Sequence, residues 1–352
     1  MKKLLAVLLT VLMVFGCVSA LADNVKMDKL TFEFVPSKDA DVIITGTKNL
    51  PELVKAEMAK LGYDIGEVEI TVGTNYNATG EAMAAGSIDV GWLPGGTYAI
   101  YSANKEVDVI LTATRAGLSN DSEDPTTWNG DANKTLPTDK QVTFYRSLIY
   151  ATPSEYGKQL AAKVNAGEAL TWEDLAKATW AVAATSSSAG YIYPTMWLME
   201  HYDGKKITDI QNDGGQVIQL GYGDAFAQAA AEQVDIVLCY ADGRRDYEIA
   251  WNLPVDQKDE TGKQGMGRED SIWNEMNVIG VTQGIYNDTV AVTTANPAVY
   301  NPEFIKALQT ALINIINTDE GKAIFSVYSH TGYAIASDSD YDGARAALAA
   351  VQ

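Results

Sequence analysis

The chain has 352 residues, with 26 lysines and arginines against 46 aspartates and glutamates, and its formal net charge is −20. Hydrophobic residues make up 47% of it, which is typical of a packed globular protein and argues against extensive disorder. The acidity argues against nucleic acid and anionic membrane as partners, because few cations are available to displace their counterions. Two histidines also argue against a histidine-rich metal site.

The first 22 residues have the pattern of a secretory signal peptide. A basic start precedes an apolar run over residues 4–16, which is too short to span a bilayer. The pattern predicts an exported protein, in the periplasm or at the cell surface. Two processing routes remain open. Cleavage after Ala22 would follow a small-x-small pattern, whereas residues 14–17 resemble a lipobox that would attach a lipid to Cys17.

Short apolar strands alternate with helical patterns along the rest of the chain. This alternation predicts an α/β protein with parallel sheets and helices on both faces. In chain order, we predict a strand at 30–35, a helix at 50–61, a strand at 68–72, a helix at 80–85, a strand at 88–93, a strand at 143–152 that crosses between two lobes, a second α/β unit built from 173–178, 180–184, a helix from Pro194, 226–232 and 236–240, and a last helix at 302–317. Residues 117–141 and 254–271 predict solvated surface loops.

The sharpest local signal is the small-residue turn TSSSAGY at residues 185–191, between a predicted strand and a predicted helix. Small residues at such a turn let the free N–H groups of the first helical turn converge on an anion, and the serine hydroxyls add donors. A nest of this kind binds phosphate without lysine or arginine. The alternative is plain N-capping by serine. The turn lies at the carboxyl end of a strand, where open α/β sheets bind ligands.

Further hydrogen-bond donors follow other predicted strands. Gly95, Gly96 and Thr97 could present backbone N–H groups, although a tight turn explains the glycines equally well. Tyr76 and Tyr145 could donate phenolic hydrogen bonds or stack on a ligand. With 18 tyrosines in the chain, each of them alone is weak support for a site.

Two aspartates, Asp242 and Asp288, also lie at strand ends or turns. Two carboxylates that face one cleft would favour a cationic group on the ligand. Taken singly, each is explained by a solvated turn.

Catalytic and cofactor motifs are missing from the sequence. It contains no P-loop and no dinucleotide fingerprint. His201 and His330 lie in separate regions without a serine or cysteine nucleophile motif, and Cys239, in an apolar run, is expected to be a buried, inert thiol. We therefore expect no catalytic residue, no metal and no cofactor.

Several motifs occur in an order that is typical of one family. They are LTFEFVPS at 30–37, Tyr76 with Glu81-Ala82-Met83, GSIDVGW at 86–92, Tyr145 with Ser147, and SSAGYIYP at 187–194. The chain resembles the PhnD-like phosphate, phosphite and phosphonate substrate-binding proteins of ABC importers, from about Leu30 to Asp319.

The resemblance implies a two-lobed periplasmic-binding-protein fold of type II, with the ligand in a cleft between the lobes. We expect the signal peptide at 1–22, the first part of lobe 1 at 23–145, lobe 2 at 146–289, and a return to lobe 1 at 290–352.

The resemblance also assigns roles to single residues. It implies that phosphonate oxygens are held by the backbone and hydroxyls of Ser187 and Ser188, the backbone of Ala189, and the phenols of Tyr76 and Tyr145. In family members that bind aminophosphonates two carboxylates hold the ligand amine, and counting along the chain places them on Asp242 and Asp288.

This sequence departs from the family pattern at four positions. Ala189 stands where serine is usual, and Asp242 is shorter than the usual glutamate. Tyr222 stands where some members have histidine. Arg146 is unexpected and either reaches the anion or points to solvent.

We therefore expect an exported, non-enzymatic receptor that closes its lobes on a phosphonate-type oxyanion, including one with an amine, and delivers it to ABC permease subunits. No nucleic acid partner is expected, and the membrane enters only through the permease or a lipid on Cys17. Two alternatives remain. The same fold could bind phosphite, phosphate, a sulfonate or a vitamin, or the chain could be a secreted hydrolase or transferase with Asp242 or Asp288 as base.

Overall fold

The structure is a computed structural model that describes residues 24–351. The predicted signal peptide, with its alternatives at Cys17 and Ala22, lies outside the described residues. None of the described helices is both long enough and apolar enough to cross a membrane.

Helices and strands alternate over most of the described chain. The strands are β1 Val25–Phe34, β2 Tyr63–Val72, β3 Val90–Leu93, β4 Val107–Leu118, β5 Pro137–Val142, β6 Phe144–Tyr145, β7 Ser147–Ala151, β8 Thr179–Val182, β9 Gln216–Gln219, β10 Ile236–Tyr240, β11 Asn277–Val281, β12 Ile285–Tyr286, β13 Thr289–Thr293 and β14 Gly332–Ile335. The α-helices are α1 Ala40–Thr47, α2 Leu50–Lys60, α3 Tyr76–Ala84, α4 Gly95–Ser102, α5 Glu155–Asn165, α6 Trp172–Ala176, α7 Tyr193–His201, α8 Ile207–Asn212, α9 Tyr222–Ala230, α10 Arg244–Asn252, α11 Ile272–Glu275, α12 Pro302–Ile316, α13 Asp319–Phe325 and α14 Asp342–Val351.

Each lobe is built on its own sheet. The first sheet has the order β14-β4-β13-β3-β1-β2, with β5 added beside β4, and the second has the order β11-β7-β10-β8-β9. The prediction of parallel sheets is only partly right. The pairs β1–β2, β1–β3, β8–β9 and β10–β8 are parallel, whereas β13, β14, β7 and β11 pair antiparallel with their neighbours.

The chain passes between the lobes along a small two-stranded ribbon. In it, β6 pairs antiparallel with β12, so that Tyr145 lies opposite Ile285 and Phe144 opposite Tyr286. The predicted crossing strand 143–152 is thus divided into β6, in the ribbon, and β7, in the second sheet.

The apolar residues of each sheet are buried against its helices. One core cluster covers the first sheet with α2, α4 and α12, and two more clusters cover the two faces of the second sheet. Cys239 is fully buried in one of these clusters and forms no disulfide, as predicted.

The predicted loop at 117–141 is less solvated than expected. It contains β5 and the side chain of Trp128, which is 1% exposed. The Trp128 indole N–H donates to the Ser122 carbonyl at 3.0 Å. The Trp128 ring packs against the second lobe and therefore anchors residues 117–141. The polar composition of this segment had predicted a solvated loop.

Candidate functional site

A small cavity, here called the cleft cavity, lies where the two lobes meet. Its wall consists of Val35, Ser37, Lys38, Tyr76, Pro94, Arg115, Tyr145, Ser187, Ser188, Ala189, Tyr222, Tyr240, Asp288, Tyr328 and Ser329. The cavity volume is about 40 Å³. Since one water needs roughly 10–15 Å³ by this measure, the cavity has room for about three waters, which is the size of one compact oxyanion.

The serine turn forms one wall of the cleft cavity. Ser187 is the N-cap of a π-helical turn, Ser188–Ile192, which continues into α7. The Ser187 hydroxyl accepts from the Gly190 N–H at 3.1 Å. Among the described residues, the N–H groups of Ser188 and Ala189 have no acceptor. Capping and anion binding are therefore compatible here, because Ser187 caps the turn and leaves the next two N–H groups free.

Three of the five tyrosines in this wall lie at predicted site positions. Tyr76 begins α3 after its N-cap Asn75, Tyr145 lies in the crossing ribbon, and Tyr222 begins α9. Burial raises the pKa of all three hydroxyls, and the Asp288 carboxylate raises those of Tyr76 and Tyr145 further. The phenols therefore stay protonated and can donate hydrogen bonds to an anion.

The glycine turn at the start of α4 contacts the other lobe instead of lining the cavity. The Gly96 N–H donates to the Ser188 hydroxyl at 2.8 Å, and the Thr97 hydroxyl donates to the Ser186 carbonyl at 3.2 Å. A Cβ on Gly96 would lie 2.8 Å from the Ser186 carbonyl oxygen, so the two lobes approach too closely for a side chain. Of this turn, Pro94 lines the cavity, while Gly95, Gly96 and Thr97 do not. These contacts join the lobes in a closed arrangement.

Asp242 lines a larger adjoining cavity and not the cleft cavity, so its role toward a ligand amine stays a prediction. Its carboxylate accepts from Arg244 Nε at 3.0 Å and Nη2 at 2.7 Å, from the Tyr150 hydroxyl at 2.8 Å, and from the Thr135 hydroxyl at 3.2 Å. Both side chains of the ion pair are 0% exposed. The carboxylate oxygens of Asp242 are thus already occupied by neighbouring donors.

Asp288 does line the cleft cavity, but it is also paired. Arg115 Nη2 lies 2.7 Å from Asp288 Oδ2, and His330 Nε2 lies 3.3 Å from the same oxygen. Burial by itself would raise the pKa of Asp288, but Arg115 and His330 outweigh it and the pKa is lowered. Asp288 is therefore an ionised carboxylate whose charge is balanced by a guanidinium group.

Sequence reasoning missed two cations in the wall, Arg115 and Lys38. The Arg115 guanidinium lies 4.5 Å from the centre of the Tyr145 ring, and Lys38 Nζ lies 3.0 Å from Asp246 Oδ2. Neither residue belongs to a recognisable motif. The sequence gives no signal for them, because the burial of Asp288, which requires a nearby cation, appears only in the structure.

Arg146 points away from the cleft cavity. It lines an adjoining cavity of about 400 Å³, which also borders Arg115 and Tyr145. Its guanidinium pairs with Asp121 at 2.7 Å and Glu123 at 3.3 Å.

Within residues 24–351, no group of three histidine, cysteine, aspartate or glutamate side chains is arranged to hold a metal ion.

Comparison with known proteins identifies the family of this chain. A family model described as the periplasmic substrate-binding protein of phosphonate ABC transporters matches residues 32–341. Comparison with curated protein sequences finds no match.

Solved structures share the fold at low sequence identity. A binding protein of an ABC phosphonate transporter from Pseudomonas aeruginosa is 13% identical with a TM-score of 0.60, over 91% of this chain and 85% of that one. A methylphosphonate complex from Prochlorococcus marinus is 14% identical with a TM-score of 0.56, over 91% and 97%. A protein from Xanthomonas citri bound to ATP is 13% identical with a TM-score of 0.60, over 93% and 98%.

Proposed function

This chain belongs to the family of periplasmic substrate-binding proteins of phosphonate ABC transporters, and on that premise we propose that it binds a small phosphonate-type oxyanion in the cleft cavity. Lobe closure about the crossing ribbon β6–β12 would enclose the anion, and opening at the permease would release it. The family is periplasmic, so the protein acts outside the cytoplasm. For the processing of the N-terminus, we propose cleavage after Ala22 and not attachment of a lipid to Cys17.

The observation that carries this proposal is the pair of free N–H groups on Ser188 and Ala189. They open onto a cavity with room for one compact oxyanion, and the start of the π-helical turn gives them partial positive charge. The protonated phenols of Tyr76, Tyr145 and Tyr222 supply further donors. Hydrogen bonds to an ionised oxygen are roughly twice as strong as neutral ones, so this set favours an oxyanion over a neutral ligand.

A hydrolase or transferase is the weaker alternative. It would need Asp242 or Asp288 as a free general base, yet both carboxylates are ion-paired with arginines. We therefore propose a receptor without catalytic activity.

The test is calorimetry of methylphosphonate binding to Ser188→Leu. The larger apolar side chain would remove the hydroxyl that accepts from the Gly96 N–H and crowd the free N–H groups of the turn, so we expect binding to fall below detection. Thr185→Val is the matched control, because Thr185 lies in the same turn, is exposed and does not line the cavity. Near-wild-type affinity in Ser188→Leu, with a normal unfolding curve, would contradict the assignment of the anion site.

A further inference from the structure

An ion pair joins the two lobes beside the cleft cavity. Lys38 lies between β1 and α1 of the first lobe, and Asp246 lies in the first turn of α10, in the second lobe. Lys38 Nζ is 3.0 Å from Asp246 Oδ2, and the two side chains are 13% and 22% exposed. The two charges, here called the interlobe pair, therefore meet only where the lobes meet.

The second lobe holds the Asp246 carboxylate in place. The hydroxyl of Tyr240, at the end of β10, donates to Asp246 Oδ2 at 2.7 Å. Burial by itself would raise the pKa of Asp246, but nearby groups, above all Lys38 and Tyr240, outweigh it and the pKa is lowered. Asp246 is therefore an ionised carboxylate that the second lobe presents to the first.

Lys38 lies between the cleft cavity and a groove of about 140 Å³ that runs between the lobes. Lys38, Asp39 and Val42 form the first-lobe wall of this groove, and α9, Tyr247 and residues 263–266 form the other wall. Among the described residues, none of the ribbon β6–β12 lines the groove. Because the proposed closure turns about this ribbon, opening of the lobes would widen the groove and separate the two charges.

A second lysine near the interlobe pair does not replace Lys38. Lys263 Nζ donates to the Thr261 hydroxyl at 2.6 Å and lies 3.9 Å from Asp259 Oδ2, so its direct partners belong to its own segment. Within residues 24–351, Lys38 is the only cation within 4.0 Å of the Asp246 carboxylate. The direct ion pair of Asp246 in the closed arrangement therefore depends on Lys38.

We propose that Lys38 and Asp246 are positioning residues that hold the lobes closed on the bound oxyanion. This inference rests on the proposed function of the cleft cavity. When the lobes open, both charged groups regain water, and closure replaces that water by the ion pair. A partly exposed pair stabilises the closed form only modestly, which suits a receptor that must also release its ligand.

The experiment measures methylphosphonate affinity by calorimetry in Lys38→Met, in Asp246→Asn and in the double variant. Lys38→Met keeps the apolar stem, and Asp246→Asn keeps an oxygen that accepts from the Tyr240 hydroxyl. Each single variant leaves one charged group without its partner in the closed form, so we expect affinity to fall by about 3- to 30-fold. The double variant should lose no more than the weaker-binding single variant, because the two residues act as one pair.

Two further measurements separate closure from a structural role. The urea midpoint of the ligand-free protein should be the same in the wild type and all three variants, because both charges are hydrated when the lobes are open. Lys163→Met is the matched control. Lys163 pairs with Asp174 at 2.6 Å within the second lobe, so its loss should leave methylphosphonate affinity within about twofold of wild type.

Three results would overturn the inference while leaving the proposed function intact. One is a single variant that binds methylphosphonate within about twofold of wild type or more tightly, and tighter binding by Asp246→Asn would make Lys38 a direct ligand of the anion. The second is an additive loss in the double variant. The third is a lower urea midpoint without ligand, which would make the pair structural.

If Lys38→Met does not fold, the affinity and the urea midpoint of Asp246→Asn decide alone. If the wild-type protein does not bind methylphosphonate, the proposed function fails, and the inference fails with it.

Discussion

Two aspartate–arginine pairs, Asp242–Arg244 and Asp288–Arg115, have the same closest contact, 2.7 Å from Nη2 to Oδ2, in very different surroundings. The first pair is 0% exposed, and Arg244 also donates to the carbonyls of Met276 and Trp128. In the second pair each side chain is 13% exposed, both residues line the cleft cavity, and the Arg115 Nε has no acceptor.

The difference shows that the role of a buried ion pair depends on whether the other N–H groups of its arginine already have acceptors in the protein. Arg244 is saturated by protein acceptors and lies 4.6 Å from the centre of the Trp273 ring, so it can only hold parts of the second lobe together. Arg115 makes a single hydrogen bond among the described residues, to Asp288, and lines the cleft cavity, so its guanidinium group lies close to a bound ligand. We interpret the first pair as structural and the second as part of the ligand site.

The largest expected effect comes from breaking the saturated pair. Arg244→Met leaves the Asp242 carboxylate buried without its cation, and we expect it to lower the free energy of unfolding by about 3–5 kcal/mol in urea denaturation. The double variant Asp242→Leu with Arg244→Met removes both charges and should recover most of that loss. A single variant that costs less than about 1 kcal/mol would contradict the structural role.

A smaller effect should come from pH, through the histidine beside the cleft pair. Burial lowers the pKa of His330 from its usual value of 6.5, although Asp288 opposes the shift. The unfolded chain therefore takes up this proton at a higher pH than the folded protein, and stability is lost as the pH falls below 6.5. The slope from this one group can reach about 1.4 kcal/mol per pH unit.

Urea denaturation at about pH 7 and about pH 5.5 measures this effect, in a range above the acid titration of most carboxylates. His330→Gln should flatten the dependence. His201→Gln is the control, since His201 is exposed at the end of α7, and it should leave the slope unchanged. The same slope in all three proteins would show that His330 is not the group responsible.

The smallest effect is expected from a third arginine, Arg146, whose carboxylate partners are exposed. Asp121 and Glu123 have side chains that are 54% and 77% exposed, so solvent screens both pairs. Arg146→Gln should cost less than about 1 kcal/mol of unfolding free energy and leave methylphosphonate affinity unchanged in calorimetry. A loss of affinity of about tenfold or more would instead place Arg146 at the ligand.

Features of the site that depend only on residues adjacent in the chain could be predicted well from the sequence. The serine turn combines a cap and free N–H groups within residues 187–189, so its composition and its place after a strand were sufficient. Tyr76 and Tyr145 were candidates from their positions at predicted strands, and the resemblance gave them the same role; the structure brings both to the same cavity as the turn. The pairing of Asp242 with Arg244 was not predicted, although Arg244 lies only two residues along the chain, because nothing in the local sequence shows that the two side chains are buried together.

The sequence by itself thus determined the alternation of strands and helices, the buried thiol of Cys239 and the capped serine turn, since each follows from local backbone and burial preferences. Only the tertiary structure decided the charge of the site. Arg115 and Asp288 are far apart in the chain, and the register of β4 against β13 brings them together. The strongly acidic composition consequently did not predict a cleft with two cations in its wall, each paired with an aspartate, because these pairs join residues that are far apart in the chain.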